Sequence, residues 1–144
     1  MKKLISISVL LCMFIIAACD KKQSAEECAN PLNPNGDSEL ALLMRKMIKH
    51  LETEHAAILA NQAAVSYPTE FEKIKTAKRT ETKEVSENFQ AESDIYLNSL
   101  KAYHNSTAEN RITNYNNLVN SCVNCHMNEC PGPVKTINKL IIAQ

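Results

Sequence analysis

Residues 121 to 133 read SCVNCHMNECPGP. Three cysteines and one histidine fall between positions 122 and 130, directly before a Pro-Gly-Pro run that cannot continue a helix. Such a run restricts the fold, because each chemistry that could use it wants a different setting. A structural zinc ion usually draws two ligand pairs from separated turns. A redox-active C-x-x-C sits at a helix N-terminus after a strand, where the helix dipole lowers the first thiol's pKa. A C-x-x-C-H run marks covalent c-type haem attachment.

The rest of the chain reads as helix. With only 2 Gly, no Trp and few β-branched or aromatic runs, and with Ala, Leu, Lys, Glu and Asn plentiful, strands find little support. Ser38 after Asp37 is a natural N-cap, and Glu39 places negative charge in the first turn. Leu40, Leu43, Met44, Met47, Ile48, Leu51, His55, Ile58 and Leu59 then recur at three- and four-residue spacing, which predicts an amphipathic helix of about 25 residues. Pro68 should end it. A second helix is expected around Phe71, Ile74 and Ala77, fading into the charged stretch KRTETKEVSE. A third begins near Ser86, carries Phe89, Tyr96, Leu97, Leu100 and Tyr103, and ends near residues 104 to 106. A fourth runs from Thr107 through Ile112, Tyr115, Val119, Cys122 and His126. The expected fold is all-α: an antiparallel up-down-up-down four-helix bundle over 38–144, with ligands gripped between facing helices and a short C-terminal helical extension.

The N-terminus is of another kind. Lys2 and Lys3 precede an apolar stretch from Leu4 to Ala18, short for a membrane span and charged only at its front, as in a secretory signal. Its ending, Ile16-Ala17-Ala18-Cys19, resembles a bacterial lipobox, in which Cys19 is lipidated and becomes the new N-terminus. Residues 1–19 are therefore expected to be a lipoprotein signal peptide and 20–37, polar with two Pro and one Gly, a tether. Removing 1–19 takes away two lysines and no acid, so 16 minus 2 leaves 14 basic residues against 16 acidic, a formal charge of −2. That balance offers nothing to nucleic acid. Lipoprotein modification supplies several acyl chains, enough for stable anchoring. The expected location is the bacterial cell envelope, lipid-anchored on the outer side of the inner membrane or the periplasmic face of an outer one, Asp20 favouring the inner membrane only under the sorting rule of enteric bacteria.

In this setting the motif reads as a haem site. Two thiols three apart on a helix can each add to a haem vinyl group, and the adjacent imidazole then faces the iron. Cys122 and Cys125 are the expected covalent anchors and His126 the proximal ligand. Zinc would require Cys122, Cys125, His126 and Cys130 to converge from one short helix, and a redox disulfide would put the motif at the wrong end of its helix.

A signal peptide, a first amphipathic helix bearing Met early and C-x-x-C-H late in the last of four helices together resemble the class II cytochromes c, the cytochrome c-prime family, over about residues 38 to 127. The resemblance implies one haem c per chain. In the family's low-spin branch it also implies a distal Met near the start of the first helix, and this chain offers Met44, with Met47 one turn on as the alternative. Thioether and imidazole together raise the haem potential and suit electron transfer. His50 and His104 are expected to be solvated, and His55 lies too far along the helix to reach the same iron. Relatives often dimerise, which leaves a homodimer open.

Cys28 and Cys130 remain, both expected at one end of the bundle, where an oxidising compartment favours a disulfide between them. The tail VKTINKLIIAQ departs from the family and is expected to cover the haem edge or to serve a partner. The function expected is one-electron transfer between membrane-associated redox proteins, with no catalytic acid-base set. A five-coordinate haem protein binding nitric oxide or carbon monoxide, and a thiol-disulfide or zinc protein without haem, are the alternatives.

Overall fold

A computed structural model describes residues 37–80 and 87–143. The signal segment, Cys19 and Cys28 lie outside the described residues, as does the expected tether apart from Asp37. The described residues are all-helical. Their elements are α1 (Glu39–Leu59), a 3-10 segment (Thr69–Lys75), α2 (Glu87–His104), α3 (Arg111–Glu129), α4 (Val134–Ile137) and a last 3-10 turn (Asn138–Leu140). None of these helices is long and apolar enough to cross a membrane.

Helix α1 starts where its sequence says it should, the Ser38 hydroxyl accepting the Ala41 N–H at 3.2 Å. It stops well short of Pro68. Asn61 takes a left-handed conformation, φ 52°, and the Gln62 N–H returns to the Ala57 carbonyl at 2.8 Å, so the last carbonyls are satisfied by a turn. The chain then reverses along α1. The Leu40 N–H, an unsatisfied donor of the first helical turn, donates to the Lys78 carbonyl, while Glu39 accepts the Lys78 N–H, both at 3.0 Å.

The second leg differs from the four-helix expectation. Instead of a full helix, the return segment carries seven residues of 3-10 helix, burying Phe71 and Ile74. The physical reason is local: Phe71, Ile74 and Ala77, each three residues apart, make a stripe that a 3-10 helix of three residues per turn presents as well as an α-helix does. The chain direction still alternates, but the described bundle has three long legs and one short one.

Helices α2 and α3 form the most extensive packed pair. They are antiparallel, joined by a turn in which Asn114 donates to the Ser106 hydroxyl at 2.9 Å. The fourth helix begins at Arg111 rather than Thr107, because the Asn110 side chain accepts the Thr107 N–H at 2.9 Å and holds 107–110 as a turn. Leu100, Tyr103, Tyr115, Leu118 and Val119 pack the centre, each no more than 1% exposed.

Helix α1 docks on this pair through its C-terminal half by polar clamps. The Tyr115 hydroxyl donates to the Leu51 carbonyl at 3.0 Å, and the Tyr103 hydroxyl donates to the fully buried Glu54 carboxylate at 2.5 Å. Burial and the Glu54 contact push the Tyr103 pKa up to about 12, so the phenol keeps the proton it donates. The other Glu54 oxygen accepts the Val65 N–H at 2.7 Å, while the Arg111 guanidinium lies 3.7 Å from the oxygen bound by Tyr103 and donates to the Gln62 carbonyl. His50 and His104, expected at the surface, face each other across this clamp, their Nε2 atoms 3.3 Å apart and the His50 side chain only 8% exposed. Burial lowers the pKa of both, which keeps them neutral.

The tail folds back on α3. Asn116 donates to the Ile142 carbonyl at 2.8 Å and accepts the Ile142 N–H at 3.0 Å, while Ile137 is buried. Leu118→Ala is expected to cost about 3 kcal/mol, since the packed centre cannot collapse around the gap. Tyr115→Phe should cost only about 1 kcal/mol, the worth of one hydrogen bond. Urea titrations of both variants, compared by midpoint at constant slope, check the order.

Candidate functional site

Because the clamps lie toward its C-terminal end, α1 stands off from α2 and α3 at its N-terminal end. A cavity of about 560 Å³ opens there. That volume is within the usual range for a small-molecule or cofactor site, about 300–1,000 Å³.

Each wall comes from a different element. Leu40, Met44, Met47, Ile48 and Leu51 form the α1 side, at the spacing that made the helix amphipathic. Phe89, Glu92 and Tyr96 come from α2, and Cys122, Cys125, His126 and Glu129 from α3. Ile74 and Arg79 of the return segment lie along one edge, and Pro133, Thr136 and Ile137 of the tail along another. All five residues that the sequence singled out for haem, Met44, Met47, Cys122, Cys125 and His126, therefore line one cavity. They meet because α1 and α3 are antiparallel, which brings the start of one beside the end of the other. Met47 belongs to the buried core at 5% exposure, whereas Met44 lies at its partly buried margin.

His126 is held from behind. Its Nδ1 lies 3.0 Å from the Cys130 carbonyl, which can only accept, so Nδ1 is the donor there and Nε2 is the nitrogen left to face a metal. The Cys130 N–H in turn donates to the His126 carbonyl at 3.0 Å. Such a backbone anchor on the far nitrogen fixes tautomer and ring direction in metal-binding histidines.

The two motif thiols are poor nucleophiles in this environment. Burial pushes Cys122 up to about 12. Cys125 rises to about 11, first by burial and then by the Glu92 and Glu129 charges, with Arg79 opposing. A redox C-x-x-C depends on the opposite shift. Nor do the four sulfur and nitrogen donors of the run gather for one ion. Among the described residues a three-ligand convergence occurs only at His50, Glu54 and His104. Cys130 is an exposed free thiol capping α3, and Cys28, its expected partner, lies outside the described residues.

Two features of the structure do not follow from the sequence pattern. Arg79 leans over the Phe89 ring, 4.7 Å from its centroid, and lies 3.5 Å from Glu129. With Arg45, Glu92 and Glu129, it gives the mostly apolar cavity a charged edge. It sits within a charged stretch of sequence that offers no periodicity to mark it. His50 and His104 are the second feature, and the only signal for them was the i, i+4 spacing of His50 and Glu54 on α1. No protein-family model, curated protein or solved structure matches the chain.

In the chain expressed without its leader, and hence free of attached haem, iodoacetamide at pH 7.5 should modify exposed Cys130 at least about tenfold faster than Cys122 or Cys125, whose burial disfavours the thiolate. Peptide mass spectrometry over time checks this. Equal rates at all three would contradict the burial of the two motif thiols.

Proposed function

We propose that this chain is a mono-haem c-type cytochrome of the class II kind, in which the second leg of the four-helix bundle is shortened, and that it carries single electrons between membrane-associated redox proteins. One observation carries the reading: the C-x-x-C-H residues and two methionines, 75 or more positions apart in sequence, line a single apolar cavity of about 560 Å³.

The residues present fit the group. Cys122 and Cys125 would hold it through two thioether bonds. His126 offers Nε2 to the iron, oriented by the Cys130 carbonyl. Met44 is the distal ligand in this reading, since Met47 is committed to the core while Met44 lies at its margin on the same wall. Bound haem supplies one-electron iron chemistry, with a potential set by its axial ligands and by water exclusion. The apolar side chains of α1 and α2 would keep water out, and the tail residues Pro133, Thr136 and Ile137 line the same cavity as His126.

The anchor belongs to the proposal on sequence grounds: a lipid on Cys19 holds the protein at the periplasmic side of the cell envelope. Cys130, exposed at the cap of α3, is available for a disulfide with Cys28.

A c-type spectrum that survives acid-acetone extraction, and that is lost in the Cys122→Ala/Cys125→Ala double variant, is the expected result. Met44→Ala should abolish the methionine-to-iron charge-transfer band and leave the covalent haem in place. If Met47→Ala does so instead, the distal ligand is one turn further on. A high-spin ferrous form that binds carbon monoxide at once in the unaltered protein would replace the electron carrier by a gas-binding haem protein.

A further inference from the structure

We propose that His50, Glu54 and His104 form a second metal site, taking a divalent transition ion such as Zn²⁺ or Cu²⁺ and clipping α1 to the end of α2. The ligand atoms of the three residues all lie within 4.8 Å of one another. The two imidazoles turn their Nε2 atoms toward each other at 3.3 Å. Two nitrogens bound to one tetrahedral zinc, at about 2.0–2.1 Å each, stand about 3.3 Å apart. His50 Nε2 is 3.8 Å from Glu54 Oε1, a gap that a small side-chain rotation closes.

The carboxylate is divided in a way that suits a ligand. Oε2 accepts from Tyr103 and faces Arg111, so the charge is anchored on that side. Oε1 accepts only the Val65 N–H and faces His50, keeping a lone pair for an ion. Backbone and phenol donors of this kind orient and tune a metal-binding carboxylate. His50 and Glu54 sit at i and i+4, so one face of α1 presents both, and His104 comes from the last residue of α2.

An entry path exists. His50 also lines a surface groove between α1 and the 3-10 segment, beside Pro68 and Phe71. The cationic residues of its rim are each paired: Arg45 with Asp37, Lys46 with Glu70 and Lys49 with Glu52. The approach is therefore not a field of unbalanced positive charge. Two histidines and a carboxylate leave the fourth tetrahedral position to water or an anion, and the nearby Arg111 favours an anion there.

None of the three residues lines the cavity of the proposed haem, so either reading can fail without the other. The test uses the full mature chain with whatever haem it holds. Copper(II) added at one equivalent should give an electron paramagnetic resonance spectrum with hyperfine structure from two nitrogens. Zn²⁺ should bind one per chain by calorimetry and raise the melting temperature by roughly 10 °C at a hundredfold excess over its dissociation constant. His50→Ala and His104→Ala should each weaken binding at least about a hundredfold, more than the roughly 10–100-fold typical of losing a group behind a ligand, because each binds the ion directly. Cys130→Ser should leave it unchanged. Because either alanine variant could disturb the clamp, circular dichroism confirms its fold, and the two-nitrogen signature in the unaltered protein stands as an independent readout. Absence of that signature, or binding that survives both histidine substitutions, overturns the site and leaves the imidazoles sharing one proton.

Discussion

The carboxylate of Glu54 is buried completely, and the position of α1 depends on how that charge is satisfied. A bare carboxylate in such a place would cost several kcal/mol, so its partners are obligatory. The Tyr103 hydroxyl fixes it to α2, the Val65 N–H to the chain just beyond α1, and Arg111 to the start of α3. One group thus tells three separate stretches where to lie. With α1 pinned near its C-terminal end, the opposite end is free to diverge from α2 and α3. The cavity is the result of that divergence, and the motif residues are at the end of α3 that faces it.

Polar and apolar parts of α1 therefore divide the work. His50 and Glu54 carry docking; Leu40, Met44 and Ile48 form a wall. The same helix both attaches and stands off, and its amphipathic pattern alone would not separate these roles. What separates them is the aromatic and charged set at one end, with Tyr103 and Tyr115 meeting edge to face at 5.5 Å between their ring centroids.

Much of this was legible beforehand and some was not, for physical reasons. The Ser38 cap and the three long helices follow from side-chain periodicity and capping, which are local. The meeting of Met44 with Cys122 and His126 followed from antiparallel packing, given only that both stretches were helical. The second leg is shorter than its pattern suggests, because Phe71, Ile74 and Ala77 at three-residue spacing suit a 3-10 segment and an α-helix equally. The end of α1 was placed at a proline when Asn61, able to adopt a left-handed backbone, ended it first. The burial of His50 and His104 depends on Tyr103, Glu54 and Arg111 coming together from distant positions, a convergence that no single window of sequence displays.

The clamp also bears on the order in which the molecule assembles. Contacts within α2, its turn and α3 span short separations, such as the 8 residues between Ser106 and Asn114, whereas Glu54 meets Tyr103 across 49 and Leu51 meets Tyr115 across 64. Closing long loops costs entropy before the contacts repay it, so the α2–α3 hairpin is the natural nucleus and α1 the late arrival. Until α1 arrives, Cys122 and Cys125 sit on an uncovered helix face. The wall that later shuts them in is the last part of the fold to be built, and a bulky group can reach those thiols before the door closes.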